Sequence, residues 1–145
     1  MNIIEQVRDI VSRFPEIASV CDCVHVDFTD SETNSYGLSP TGDTLISEDI
    51  LGNEKRMHTF VLYAVYQSLS DYDRLSNSGV LLRLQQWLEK QADGQEITAE
   101  LDGETRTGEL LKLTCANGML FDIPSENFNS NVRYQLQITA EYSLS

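Results

Sequence analysis

Three stretches carry the residue types that chemistry needs. Cys21-x-Cys23-x-His25 is the most metal-like, with Asp27 extending the row. On a strand all three side chains point the same way, but their spacing spreads them over about 13 Å, too far for one tetrahedral ion. Cys115 adds a ligand only if the fold brings it there. Small buried thiols on a sheet are the better reading. His58 opens a strand beside a charged loop and could act as a base near neutral pH. No Ser, Cys or acid nearby in sequence orients it, so a half-exposed strand residue is expected. Asp71, Asp73, Asp122 and Glu126 read as loop acids without the regular oxygen spacing and tight glycine turn of a calcium loop. There is no glycine-rich phosphate loop or dinucleotide fingerprint.

The elements that would position these groups follow from hydrophobic spacing. Ile3, Ile4, Val7, Ile10, Val11 and Phe14 form one helical stripe, predicting a helix over 2–14 that Pro15 stops. Val20, Val24, Val26 and Phe28 alternate with Cys21, Cys23, His25 and Asp27, which predicts a strand. The polar stretch after it is turn-rich, with a short extended piece near Tyr36–Leu38. Two strands, about 44–51 and 57–67, flank a loop at Gly52-Asn53. The second is apolar on both sides through Phe60–Tyr66, so it should be central and covered on both faces. Val80, Leu81, Leu84, Trp87 and Leu88 predict a helix over 76–92, ending before Gly94.

The last third alternates. Asp102-Gly103 and Asn117-Gly118 read as hairpin turns. From Arg133 to Tyr142, Tyr134, Leu136, Ile138, Ala140 and Tyr142 take one side of a strand, against Arg133, Gln135, Gln137, Thr139 and Glu141. The order predicts a single α+β domain over 1–145, a mostly antiparallel sheet with two amphipathic helices on one face. The other face is then open or covered by a neighbouring subunit. Tyr63, Tyr66, Trp87, Phe121, Phe128, Tyr134 and Tyr142 should mostly be core. Any apolar surplus would be an interface.

Charge narrows the partners. With 23 acidic against 10 basic residues the net charge is −13, which disfavours coating nucleic acid. The N-terminal stretch lacks a cationic start followed by an apolar run, so no signal peptide is expected. No run reaches ~18 apolar residues, so no transmembrane helix is expected. Three cysteines without a secretion signal predict reduced thiols.

The end of the chain, LTCANGMLFDI followed by NVRYQLQITAEY, resembles the tail terminator or minor capsid-type proteins of Gram-positive phages and phage-tail-like particles. Members close on a sequence like SNGYLFD, a variable loop, then ARYQIQCRLTY. Asn117, Gly118, Leu120, Phe121 and Asp122 match the first part; Arg133, Tyr134, Gln135 and Gln137 match the second. Ser35, Tyr36 and Pro40 resemble the family's "SYSI…P" segment, and Phe60, Val61 and Leu62 its central strand. The helix containing QQWLEKQ at 85–91 resembles its Trp-bearing helix. The stretch ELDGETRTG at 100–108 departs from the pattern as an extra arm.

The resemblance implies a tail-terminator-like virion structural protein, not an enzyme, with no cofactor and no metal. It would form a ring, a homo-hexamer, on the head-proximal end of a tail tube. The ring would end tube polymerisation and offer the head or neck a docking surface. Its partners would be other copies, the tail tube protein, and sheath and neck or head connector proteins, with no specific nucleic-acid binding and no membrane. It would be assembled in the bacterial host cytoplasm and reside in the virion or phage-tail-like particle. Two other classes stay open: a small head–tail connector or other binding module of fixed low stoichiometry, and an enzyme using His58 or the cysteine row. The expected assembly contacts are loops, where contacts concentrate. They are the 51–57 tip (Leu51, Asn53, Lys55, Arg56, Met57), the 100–108 arm (Asp102, Glu104, Arg106) and the 125–131 loop (Asn127, Phe128).

Overall fold

The computed structural model describes residues 1–18, 24–26, 35–67, 71–122 and 131–145. Helix α1 spans Ile3–Ser12. It opens with a reciprocal cap: Glu5 N–H donates to Asn2 Oδ1 at 2.9 Å, and Asn2 N–H to Glu5 Oε1 at 3.2 Å. Pro15 does not simply end the helical segment, as the sequence suggests. It begins a short helix, α2, over Pro15–Ala18, where a proline is tolerated because a first helical residue needs no N–H partner. Phe14 and Ile17 thereby extend the buried row of Ile3, Val7, Ile10 and Val11.

Among the described residues six strands form one sheet in the order β1-β2-β3-β6-β5-β4. They are β1 His25–Val26, β2 Ser35–Glu48, β3 Glu54–Gln67, β4 Glu96–Leu101, β5 Glu104–Asp122 and β6 Asn131–Leu144. Only β1 and β2 pair in parallel; the other neighbours are antiparallel. The α+β fold expected from the element order is the one observed. Helix α3 spans Asp71–Leu88. It begins before the predicted residue 76 and ends before the predicted residue 92.

Two turn signals are used differently from their prediction. Pro40 and Gly42 lie inside β2, which is one long strand instead of a short piece followed by a second strand at 44–51. The register of β2 slips between Pro40 and Gly42 and again between Leu45 and Ser47, so bulges absorb the strand-breaking residues. Asn117-Gly118 is likewise not a turn. β5 runs through it, with a register irregularity between Ala116 and Met119. Gly118 serves close packing: a Cβ there would lie 3.2 Å from Leu81 Cδ2 and 3.3 Å from Leu136 Cδ1. Asp102-Gly103 does turn, with φ of 52° and 80°, the pair of positive angles a two-residue hairpin requires.

β3 and β6 pair along their whole length, from Glu54↔Leu144 to Gln67↔Asn131. The apolar row of β6 meets Phe60, Leu62 and Ala64 of β3 on one face, and all are buried. The helices cover this same face. Leu81, Leu84 and Leu88 of α3 join the α1 and α2 residues in one core cluster. Trp87 lies against Phe14 with centroids 5.3 Å apart, and Arg83 Nε donates to Glu16 Oε1 at 2.9 Å. On the opposite face, Thr59, Val61, Tyr63, Gln135 and Thr139 are half-buried and Gln137 is exposed. β3 is central, as expected, but fully covered on both sides only towards Val65 (3% exposed).

Candidate assembly interface

Beyond the helices, β2 and β3 run on as a hairpin whose turn is built by Asp49. Its Oδ1 accepts the N–H groups of Leu51 and Asn53 at 2.9 and 3.0 Å, and its Oδ2 accepts Asn53 Nδ2 at 3.0 Å. Asp49 N–H in turn donates to Asn53 O, and Gly52 N–H to Asp49 O. An Asx side chain thus replaces missing strand pairing. The N–H of Asn53, then its side-chain amide, hold the Asp49 carboxyl below its ordinary value. The turn leaves its two aliphatic residues outside: Ile50 is 103% and Leu51 86% exposed, with Leu45 and Ile46 also exposed behind them.

A chain of polar contacts braces this hairpin against two other strands, β6 and β5. Tyr142 Oη on β6 donates to Asp43 Oδ2 on β2 at 2.5 Å. Arg56 Nε on β3 donates to Asp43 Oδ1 at 2.6 Å and its Nη1 to Glu54 Oε2 at 3.2 Å. Arg106 on β5 reaches the same Glu54 Oε2 at 2.9 Å and donates to Gly52 O at 2.6 Å. Asp43's hydrogen bond holds the Arg56 guanidinium above its ordinary value. Burial, then the Asp43 contact, push the Tyr142 phenol up. Charge-assisted bonds of this kind fix geometry as well as adding energy.

β5 can deliver Arg106 because it crosses the end of β6. At the crossing a Cβ on Gly108 would fall 1.7 Å from Ser143 O, so only glycine permits this approach. Ser145 N–H donates to Thr107 O at 2.9 Å, and Glu109 N–H to Ser143 Oγ at 3.1 Å.

Two of the three expected contact loops are therefore one structure. Arg106 ties the 100–108 arm to the 51–57 tip. Leu51 is exposed on that tip, while Asn53 is spent on building it. Arg56 and Arg106 are half-buried in the brace rather than displayed. Lys55 is exposed, Met57 half-buried, and Asp102 and Glu104 exposed on the arm. Asn127 and Phe128 lie outside the described residues. Sequence reading missed Ile50, Asp43, Asp49 and Tyr142. Adjacent aliphatics inside an Asp-to-Asn turn signal an exposed apolar tip, but nothing local reveals that Tyr142 and Asp43 meet across 99 residues.

The groups suspected of chemistry are placed less favourably. Cys21, Cys23, Asp27 and Glu126 lie outside the described residues. Asp71 and Asp73 belong to the first turn of α3 and Asp122 to the end of β5, not to loops. His58 is buried (6% exposed) rather than half-exposed. Its Nδ1 donates to Thr59 O at 2.9 Å, and its ring stacks on Phe60 with centroids 4.4 Å apart. Burial, then nearby Glu89, push the Cys115 thiol up to about 12. Among the described residues no group of three His, Cys, Asp or Glu could hold a metal ion, and no helix is long and apolar enough to cross a membrane.

Depressions lie away from the tip, among the described residues. A groove of about 160 Å³ lies on the uncovered sheet face over Thr41, Thr59, Gln137 and Thr139. A notch of about 80 Å³ lies between α3 and β5, lined by Ser78, Leu81, Leu82, Gln85 and Gly118. Comparison with known protein families found no matching family, and comparison with characterised proteins found no match.

Proposed function

We propose that this chain is a non-enzymatic structural subunit that assembles into a ring, of the tail-terminator kind its sequence resembles. The observation that carries the proposal is the sheet face away from the helices. Its centre presents Thr59, Val61, Tyr63, Gln135, Gln137 and Thr139, six uncharged residues flanked by Arg133 at one end and Lys55 and Glu141 at the other, on a chain with a net charge of −13. Copies of so acidic a protein repel each other except where carboxylates are sparse. The uncharged centre of a half-open sheet face is such a place. The braced apolar tip adds a second, rigid contact element.

In this reading the ring is a hexamer on the head-proximal end of a tail tube, within the virion or a phage-tail-like particle. It contacts tube protein on one side and neck or head connector proteins on the other. The test is polymerisation of tail tube protein from the same gene neighbourhood with and without this chain, with tubes viewed by negative-stain electron microscopy. Shortened tubes carrying a ring at one end are expected. Tubes of unchanged length with bare ends would overturn the proposal.

A further inference from the structure

We infer that two copies of the free chain pair face to face through the sheet surface the helices leave open, about a twofold axis that crosses β6 at Gln137. The pair goes beyond the ring reading above and stands or falls without it. It occupies, in the free chain, the face that the ring reading gives to contacts between copies.

The charges on that face are complementary to themselves. Along the open side of β6 the row reads Arg133, Gln135, Gln137, Thr139, Glu141. A cation and an anion thus lie at equal distances, about 13 Å, from the middle residue. A twofold axis across the strands at Gln137 keeps β6 over β6 and reverses its direction. It sets each Arg133 over the other copy's Glu141 and each Gln135 over the other copy's Thr139. The next strand repeats the pattern with the signs exchanged. Asp122 of β5 is in register with Arg133, and Lys112 with Glu141, so by register the same axis brings Lys112 to Asp122 of the second copy. Lys55, level with Ser143, comes opposite the uncharged Gln67, level with Asn131. An axis along the strands would instead set Arg133 on Arg133 and Glu141 on Glu141, and such like-charge contacts are penalised.

Arg133 lacks what this pairing supplies. It is half-buried, and its Nε is buried with no hydrogen-bond partner among the described residues. Native structures leave few such groups unmet, and a carboxylate is the partner a guanidinium fits best. Glu141 of a second copy brings one over the open face.

Shape and area agree. Packed sheets lie about 10 Å apart and within about 30° of each other, a gap and offset that an extended Arg and Glu bridge together. Between the charged ends, the axis carries Tyr63 to the level of Thr59 on the other copy's β3. That is the floor of the groove lined by Thr41, Thr59 and Thr139, so a large side chain comes over a row of small ones. From β2 to β5, over eight residues of rise, the patch measures roughly 19 by 26 Å, or about 500 Å² per copy. Two copies bury about 1,000 Å², the size of a weak, reversible interface.

Sedimentation equilibrium of the wild-type chain from roughly 10 µM to 1 mM should show a dimer that weakens with added salt. Arg133→Glu and Glu141→Arg each set like charges together. Each should weaken pairing at least about tenfold, with unchanged circular dichroism. Mixed, they should form a heterodimer with one copy of each, because one variant then carries acid at both ends of the row and the other carries base. The double variant with both substitutions should dimerise like wild type. Gln137→Arg, at an exposed position, sets two cations on the axis and should abolish pairing, which carries the test if Arg133→Glu does not fold. A wild-type chain that stays monomeric throughout overturns the inference, as does a folded Glu141→Arg or Gln137→Arg variant that pairs like wild type. Where Arg133→Glu folds, a mixture or double variant that stays monomeric overturns it as well. The two readings fail separately: a dimer with uncapped tubes removes the tail-end role and keeps the pair, and capped tubes from a chain that stays monomeric remove the pair and keep the role.

Discussion

Gly108→Ala is expected to be among the most damaging single-methyl additions to this chain. The glycine has no positive φ, so backbone strain is not the cause; space is. A Cβ would lie 1.7 Å from Ser143 O and 2.4 Å from its carbonyl carbon. Those atoms are backbone of β6 and cannot swing aside as a side chain would. Overpacking a tight site costs about 1–3 kcal/mol, and a backbone wall places this one at the upper end. Moving β5 away also weakens the Ser145–Thr107 and Glu109–Ser143 hydrogen bonds, each worth about 1 kcal/mol. Alanine recovers about 0.4–1 kcal/mol by restricting the unfolded chain. The net expectation is a loss of about 3–4 kcal/mol, read as a lower urea midpoint with unchanged slope and a melting temperature lower by roughly 10 °C. Gly118→Ala is the matched control. Its Cβ would meet Leu81 Cδ2 and Leu136 Cδ1 at 3.2 and 3.3 Å, both ends of flexible side chains, so a change under about 1 kcal/mol is expected. If Gly108→Ala unfolds within 1 kcal/mol of wild type, β5 does not cross β6 as described.

Other substitutions test other parts. Leu136→Ala, at the centre of the buried row of β6, should cost about 2–5 kcal/mol by urea titration, whereas the exposed Leu51→Asp should stay within about 0.5 kcal/mol. Tyr142→Phe should cost about 1 kcal/mol for the lost bond to Asp43. Because the fold raises the phenol's pKa, that residue's contribution is fully present below about 10 and lost as pH rises further; the variant should show a shallower alkaline decline in melting temperature. The Cys115 thiol, raised from 9.0 to about 12, should resist iodoacetamide at pH 9 in the native chain and react readily in urea. Asp49 has the opposite sign: its carboxyl is lowered, so its contribution is present above the ordinary carboxylate value and lost as pH falls, and Asp49→Ala should be less acid-sensitive than wild type by circular dichroism.

The elements legible in the sequence are those with a repeated pattern and one buried side. The β6 alternation placed Leu136 and Tyr134 in the core, and the α1 stripe placed Val7 and Ile10 there. The α+β class followed from their order. Turn residues misled where packing overrode local preference. Asn117-Gly118 has the strongest hairpin signature in the chain, yet β5 runs on through it because it stays paired with β6 on both sides, at Ala116↔Gln137 and Met119↔Gln135. Pro40 and Gly42 read as a loop, yet paired β3 carries β2 through them on a bulge. Of the contact site, Leu51 and Arg106 were visible as loop residues. That Arg106 is spent on Glu54 depends on a pairing far apart in sequence that no local pattern records, whereas the exposure of Ile50 beside Leu51 follows from the local Asp49 turn.

The place of β6 also bears on how fast this molecule can form. It follows β5 in chain order yet lies between β3 and β5. The β2–β3 and β4–β5 hairpins can each close locally, but each keeps a raw edge until β6 enters and joins them. That entry closes long loops before any contact rewards it, which predicts refolding in milliseconds to seconds. Until then the β3 edge, with Phe60 and Leu62 bare, is open to the wrong strand. The vulnerable interval in this protein's life is thus the wait for one strand, and conditions that crowd copies together during it favour aggregation over assembly.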